Sequence, residues 1–198
     1  MIAIVDYGAG NLRSVQNTLD EIGAKYQVFT TPEGLDQAPK IVLPGVGHFG
    51  QMMRALEERG LRKVVLDRVQ AKVPLFGICV GLQCLFEESE EAPGVPGLAL
   101  FKGAIKRFPT DMRVPHMGWN TLDRVKDCRL LDGLAEHPYV CFLHSYYAPL
   151  SDATAARCTY ELPYTAMLHQ DNIYAVQFHP EKSGPAGLRV MRNFIELC

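Results

Sequence analysis

The stretch L-F-G-I-C-V-G-L-Q, Leu75–Gln83, joins an apolar run to a helical pattern through a turn bounded by Gly77 and Gly81. Leu75–Ile78 predicts a buried strand, and Leu82, Leu85 and Phe86 then share one helical face across Gly81–Glu88. The same succession extends toward the N-terminus. Ile41–Leu43 predicts a strand closed by the loop P-G-V-G-H-F-G, Pro44–Gly50, with helices around Gln51–Arg59 and Leu61–Ala71 after it. Ile2–Val5 and Tyr26–Phe29 predict further strands, and between them Leu12, Val15, Leu19 and Ile22 recur at helical spacing until Gly23 stops the run. Helices alternating with strands are crossovers between parallel neighbours. The expected fold class is therefore α/β, a mostly parallel open sheet flanked by helices.

The second half has another texture. Leu98–Phe108, Tyr139–His144, Ala155–Tyr160, Ala166–His169 and Ile173–Phe178 predict strands joined by turns, adding antiparallel strands to the architecture. A last helix, about Pro185–Glu196, places Leu188, Met191, Phe194 and Ile195 on one face. P-G-V-P-G, Pro93–Gly97, is the clearest loop between the textures. With no internal repeat and no low-complexity linker, residues 1–198 are expected to form one domain. A chain of 198 residues, 47% hydrophobic, buries about 70% of its unfolded surface and needs no staples.

Composition excludes several classes. Lys+Arg 20 against Asp+Glu 22 leaves a net charge of −2, which supports neither a nucleic-acid surface nor a disordered acidic tail. The opening M-I-A-I-V-D meets Asp6 after four residues of apolar run, too short for a signal peptide or a membrane span, so a cytoplasmic location is expected. Cys79, Cys84, Cys128, Cys141, Cys158 and Cys198 are scattered, and the expectation is six free thiols. Cys79/Cys84 and Cys141/His144 lack a second pair at zinc-site spacing, so no metal site is expected.

Three elements carry candidate chemistry. In G-I-C-V-G, Gly77–Gly81, the glycines let a strand reverse sharply into a helix and leave Cys79 exposed at the helix start. Partial positive charge there favours the thiolate, and the Val80 N–H points at any oxyanion forming beside the sulfur. Taken alone, the motif describes a buried structural cysteine equally well. His179 ends the strand Ile173–Phe178, and Pro180 after it cannot donate to a sheet ladder. If the segment stays extended, Glu181 projects to the same face and orients the imidazole toward Cys79. A strand-end histidine beside an unrelated surface glutamate is the plain alternative. P-G-V-G, Pro44–Gly47, also follows a parallel strand, and open parallel sheets bind ligands at the carboxyl ends of their strands.

The remaining candidates are less decided. His48, His116, His137 and His169 show no paired orienter and are read as surface or loop histidines. His144 lies in C-F-L-H-S-Y-Y, where Ser145 and Tyr146 line a polar pocket or the strand simply packs in the core. Trp119, in V-P-H-M-G-W-N, Val114–Asn120, suits an exposed loop, an interface anchor or a core plug. The acidic run Glu87–Glu91 is read as a solvated helix end.

P-G-V-G at Pro44–Gly47, G-I-C-V-G-L-Q at Gly77–Gln83 and F-H-P-E at Phe178–Glu181 together resemble the class I, or triad, glutamine amidotransferases. The order Cys…His…Glu differs from the nucleophile…acid…His order of α/β-hydrolases. D-Y-G-A-G-N-L-R-S-V at Asp6–Val15, P-H-M-G-W-N at Pro115–Asn120, H-S-Y-Y at His144–Tyr147 and H-P-E-K-S-G at His179–Gly184 narrow the resemblance. They are similar to the glutaminase subunits of imidazole glycerol phosphate synthases, end to end. Leu82 stands where methionine is common, a volume-conserving change.

The resemblance implies roles. Cys79 is the expected nucleophile on L-glutamine, His179 the acid and base, and Glu181 its orienter. Val80 and one N–H of Val46 or Gly47 form the expected oxyanion hole. Val46, being β-branched, resists positive φ and is expected to leave that donor misdirected at rest. Gly47, Gln83, Ser145 and Tyr146 form the expected glutamine pocket. No cofactor is implied. The implied partner is a (β/α)8-barrel cyclase that receives the ammonia, with Asn11, Trp119 and Lys182 near the interface. A glutaminase serving another synthase, a free-standing γ-glutamyl cysteine hydrolase and a non-catalytic subunit are the competing readings.

Overall fold

The computed structural model describes residues 1–8 and 12–198. In chain order the elements are β1 Ile2–Val5, α1 Leu12–Glu21, β2 Tyr26–Phe29, β3 Ile41–Gly45, α2 Phe49–Glu58 and α3 Leu61–Gln70. Then come β4 Leu75–Cys79, α4 Val80–Gln83, β5 Phe86–Ser89, β6 Phe101–Arg107, β7 His116–Thr121 and β8 Asp123–Arg124. The rest are β9 Tyr139–His144, β10 Tyr146–Tyr147, β11 Thr154–Tyr160, β12 Leu162–Gln170, β13 Ile173–Val176 and α5 Gly184–Leu197.

Eight strands form the main sheet in the order β2-β1-β3-β4-β13-β12-β11-β8. β2, β1, β3, β4 and β13 pair in parallel, and β12, β11 and β8 add antiparallel strands at one edge. β1, β3, β4 and β13 are buried along their whole length, as helices on both faces require of a parallel sheet. β10-β6-β5 and β7-β9 make two smaller sheets. The mixed α/β architecture expected from the alternation is present.

Three local readings change, the first two for tertiary reasons. The helix expected over Gly81–Glu88 is the single turn α4 followed by β5. Leu98 N–H bonds Cys84 O at 2.7 Å and Leu100 N–H bonds Leu85 O at 2.8 Å, capturing carbonyls a continuing helix would use. That approach needs glycine at 97, where a Cβ would stand 2.0 Å from Phe86 O. The acidic run is accordingly no helix end. Glu90 bonds Arg107 N–H and Lys106, and Glu91 accepts from Phe49 N–H at 2.6 Å at the start of α2. Second, the Trp119 segment is strand β7, paired antiparallel with β9 from His116↔His144 to Thr121↔Tyr139. Third, residues 180–182 form a 3₁₀ turn rather than extended chain.

All six cysteines are free thiols. Among the described residues no helix is long and apolar enough to cross a membrane, and no cluster of three or more metal-ligating side chains occurs.

Candidate active site

β3, β4 and β13 lie side by side, so their C-terminal ends open on one edge of the sheet. Each end contributes one element. β4 runs into α4 through Cys79, whose φ of 54° and ψ of −109° are unusual for a residue with a side chain. Neighbouring glycines permit this turn by close backbone packing as well as by flexibility. A Cβ on Gly81 would lie 2.0 Å from Leu43 O, and one on Gly45 would lie 2.3 Å from Gly81 N. The end of β3 and the start of α4 therefore touch backbone to backbone, which fixes the sulfur beside the Val46–Gly47 loop.

After β13, His179 N–H bonds Cys141 O at 2.9 Å, which ties the end of the main sheet to β9. Its Nδ1 lies 2.8 Å from Glu181 Oε1. The 3₁₀ turn brings the glutamate back under the ring, so the pairing expected from an extended segment forms by another route. The second carboxylate oxygen, Oε2, is buried with no hydrogen-bond partner among the described residues. A carboxylate so poorly compensated favours a positive neighbour. Burial works against the imidazolium, but the Cys79 sulfur and Glu181 outweigh it and hold His179 well above the ordinary histidine range. The geometry suits a thiolate–imidazolium pair held by a carboxylate.

A cavity of about 460 Å³ opens over this edge. Val46, Gly47, Cys79, Val80, Gln83, Ser145, Tyr146, His179 and Lys182 line it, so all but three of the expected site residues converge there. Glu181 sits behind His179. Trp119 is 56% exposed on β7, outside the lining. Asn11 lies outside the described residues.

The oxyanion loop is engaged. The Tyr7 hydroxyl accepts from Val46 N–H at 3.1 Å and donates to Val46 O at 3.2 Å. Burial pushes the Tyr7 phenol up to about 12, so it stays protonated. Gly47 adopts φ +90°, a conformation a glycine takes without strain.

Several contributors escaped the sequence reading. Glu91 lines the cavity as well as capping α2, and Gln177 is fully buried with its amide 3.7 Å from Cys79 Sγ. Gln177 had a signal, a polar residue closing the apolar run I-Y-A-V. His116, expected at the surface, is buried and stacks on Tyr160 at 4.0 Å. His144 both packs in the core and lines the cavity, so its two readings hold together. His48 caps α2, its Nδ1 accepting from Gly50 N–H at 3.0 Å.

The family model described as glutamine amidotransferase class-I matches residues 3–197. The chain belongs to that family. Within the class-I amidotransferases it is similar to "Imidazole glycerol phosphate synthase subunit HisH" of Methanothermobacter thermautotrophicus, 52% identical over 100% of this chain and 98% of that protein. The protein of the same name from Thermococcus kodakarensis is 47% identical, with all of both chains covered. Among solved structures, one described as a glutamine amidotransferase matches with a TM-score of 0.78 at 23% identity, over 100% of this chain and 98% of that one. PurLQS from Thermotoga maritima matches at 0.77 and 18% identity, covering 98% and 96%. At those identities the structural matches speak to the fold alone.

Proposed function

We propose that this amidotransferase is the glutaminase subunit of an imidazole glycerol phosphate synthase and acts in histidine biosynthesis. The 52% identity to a full-length HisH supports the assignment, and the Cys79–His179–Glu181 constellation is the observation that carries the chemistry.

Glutamine enters the cavity with its side-chain amide at Cys79. The thiolate attacks the amide carbon, and the carbonyl oxygen becomes an oxyanion facing Val80 N–H and the Gly47 N–H, since Val46 N–H is given to Tyr7. His179, as imidazolium, gives its proton to the departing nitrogen, so the C–N bond breaks and ammonia leaves a thioester on Cys79. Neutral His179 then takes a proton from water as it attacks the thioester. Glutamate leaves and the thiolate–imidazolium pair is restored. Glu181 keeps the ring oriented throughout. Glu91 is placed to receive the substrate α-ammonium, and Ser145, Tyr146, Gly47 and Gln83 hold the rest of the molecule.

Ammonia released into water is protonated and lost as a nucleophile, so the site needs a partner seated over it. The proposed partner is the (β/α)8-barrel cyclase subunit in a cytoplasmic heterodimer. Met117, Trp119, Tyr139 and Leu143 are exposed on one face of the β7–β9 ribbon, and Leu143 also borders the cavity. An apolar face beside the cavity mouth suits an interface that covers it. Lys182 lines the cavity close by.

The test uses the assembled pair. Cys79→Ala should abolish glutamine-dependent ring closure and leave the ammonium-dependent reaction intact. Loss of both in a complex shown to be assembled would overturn the division of labour.

A further inference from the structure

Gln177 closes the apolar run after β13 with a side chain that no solvent reaches. Its Oε1 accepts from Gln83 Nε2 at 3.1 Å, so its own Nε2 is the atom turned to Cys79 Sγ at 3.7 Å. Gln83 Nε2 also donates to Tyr146 O at 3.0 Å. An amide nitrogen has two hydrogens, and both of Gln83's are thereby used. Its orientation is fixed, with only the carbonyl oxygen left to offer the cavity.

The polarity of this chain is set at Tyr146 O, a carbonyl that only accepts, from Gln83 on one side and from His144 on the other. His144 Nδ1 lies 2.8 Å from Tyr146 O, which cannot donate, so Nδ1 carries the proton. His144 Nε2 then accepts from the Tyr164 hydroxyl at 3.2 Å, and Tyr164 Oη accepts from His116 Nδ1 at 3.1 Å. One run of hydrogen bonds connects His116 on β7 to the sulfur on β4. Reversing the Gln177 amide would set N–H against N–H at Gln83 and a carbonyl oxygen against the sulfur. The first contact is repulsive in any state and the second once the sulfur is a thiolate.

We propose that Gln177 is a further catalytic residue, its amide N–H holding the Cys79 thiolate while its carbonyl locks Gln83 in the orientation that meets the substrate. The inference rests on Cys79 being the nucleophile. It makes the resting thiolate depend on Gln83 through Gln177, with no glutamine present.

Alkylation of the full chain by iodoacetamide, followed by peptide mass spectrometry across pH, reads this directly. Tyr7, Cys84, His179 with Glu181, Glu91 and Lys182 face the sulfur or the cavity from the surrounding elements and are the same in parent and variants. In Gln177→Met the pH profile for Cys79 should move up by about 0.5–1 unit, the effect of one ordinary hydrogen bond. Glutamine turnover should fall roughly three- to tenfold, mostly in kcat. Gln83→Met should move the alkylation profile in the same direction, which loss of a substrate contact alone does not do. An unmoved Cys79 profile in folded Gln177→Met overturns the inference. In the parent chain, Gln177 side-chain amide resonances should shift as Cys79 titrates, and resonances indifferent to it overturn the inference without any variant. A label found on Cys84 or Cys141 instead of Cys79 would sink the nucleophile assignment itself.

Discussion

Two histidines line one cavity, both nearly covered, and their proton affinities move in opposite directions. His144, at the end of β9, is 6% exposed, and burial pushes it down to about 3. His179, after β13, is 3% exposed, yet Cys79 and Glu181 hold it well above its ordinary value. Burial does not separate them; their neighbours do. His144 meets a carbonyl and a hydroxyl, which a neutral ring satisfies with one donor and one acceptor. His179 stands between the Cys79 sulfur and a carboxylate with an orphaned oxygen. At these two positions the end of β13 meets charged neighbours and the end of β9 meets fixed dipoles.

Exchanging the two roles by mutation gives the largest effect. His179→Asn should lower glutamate release by about 10²–10⁴-fold, the usual worth of a general acid and base. Glu181→Gln should be milder, because nucleophile and base both remain. A comparable loss of kcat in His144→Phe would break the contrast. His144→Phe should instead raise KM through the displaced Tyr146 carbonyl. It should also cost about 1–3 kcal/mol in urea unfolding, since the Tyr164 hydroxyl loses its acceptor.

Acid stability sharpens the contrast further. His116 is lowered by burial to about 4 and His144 to about 3, against an ordinary 6.5. Between pH 6.5 and 4 the unfolded chain binds protons the native state refuses, so stability falls as pH falls. Each histidine contributes up to ~1.4 kcal/mol per pH unit in that window. His179 has the opposite sign. Its stabilisation is complete below 6.5 and is lost only as pH rises through its elevated value, so it adds nothing to the acid slope. Urea midpoints at pH 7, 6 and 5 should therefore fall progressively, and His144→Phe should flatten the trend. The smallest effect on the chain itself belongs to the outer face of β7. Trp119→Ala should change its stability by less than about 0.5 kcal/mol, because the indole is exposed. Its consequence should appear only as weaker co-purification with the cyclase or glutamine hydrolysis uncoupled from ring closure.

The parallel half was legible because its central strands are apolar and its turns are marked by glycine and proline. Pro44–Gly47, Gly77–Gly81 and His179 each mark the end of one such strand, so the edge that bears the candidate site is marked by residues that punctuate the chain. The antiparallel half hid its organisation. β7 alternates buried His116 with exposed Met117 and Trp119, a pattern that carries no apolar run. β5 shares its apolar spacing with a helix, and only the returning segment at Gly97–Phe101 decides between them. Glu91 and Gln177 took their roles from partners 42 and 98 residues away in sequence, Phe49 and Cys79. No local pattern announces such contacts.

Histidine-selective ¹⁵N NMR of the resting chain near pH 7.5 tests the thiolate–imidazolium pair most directly. His179 should appear doubly protonated and should lose its second proton in Cys79→Ala at lower pH than in the parent chain. His144 should appear as the neutral Nδ1–H tautomer in the same spectrum. A neutral His179 in the resting protein, unchanged by removal of the sulfur, would contradict its assignment as the proton donor to the departing amide nitrogen.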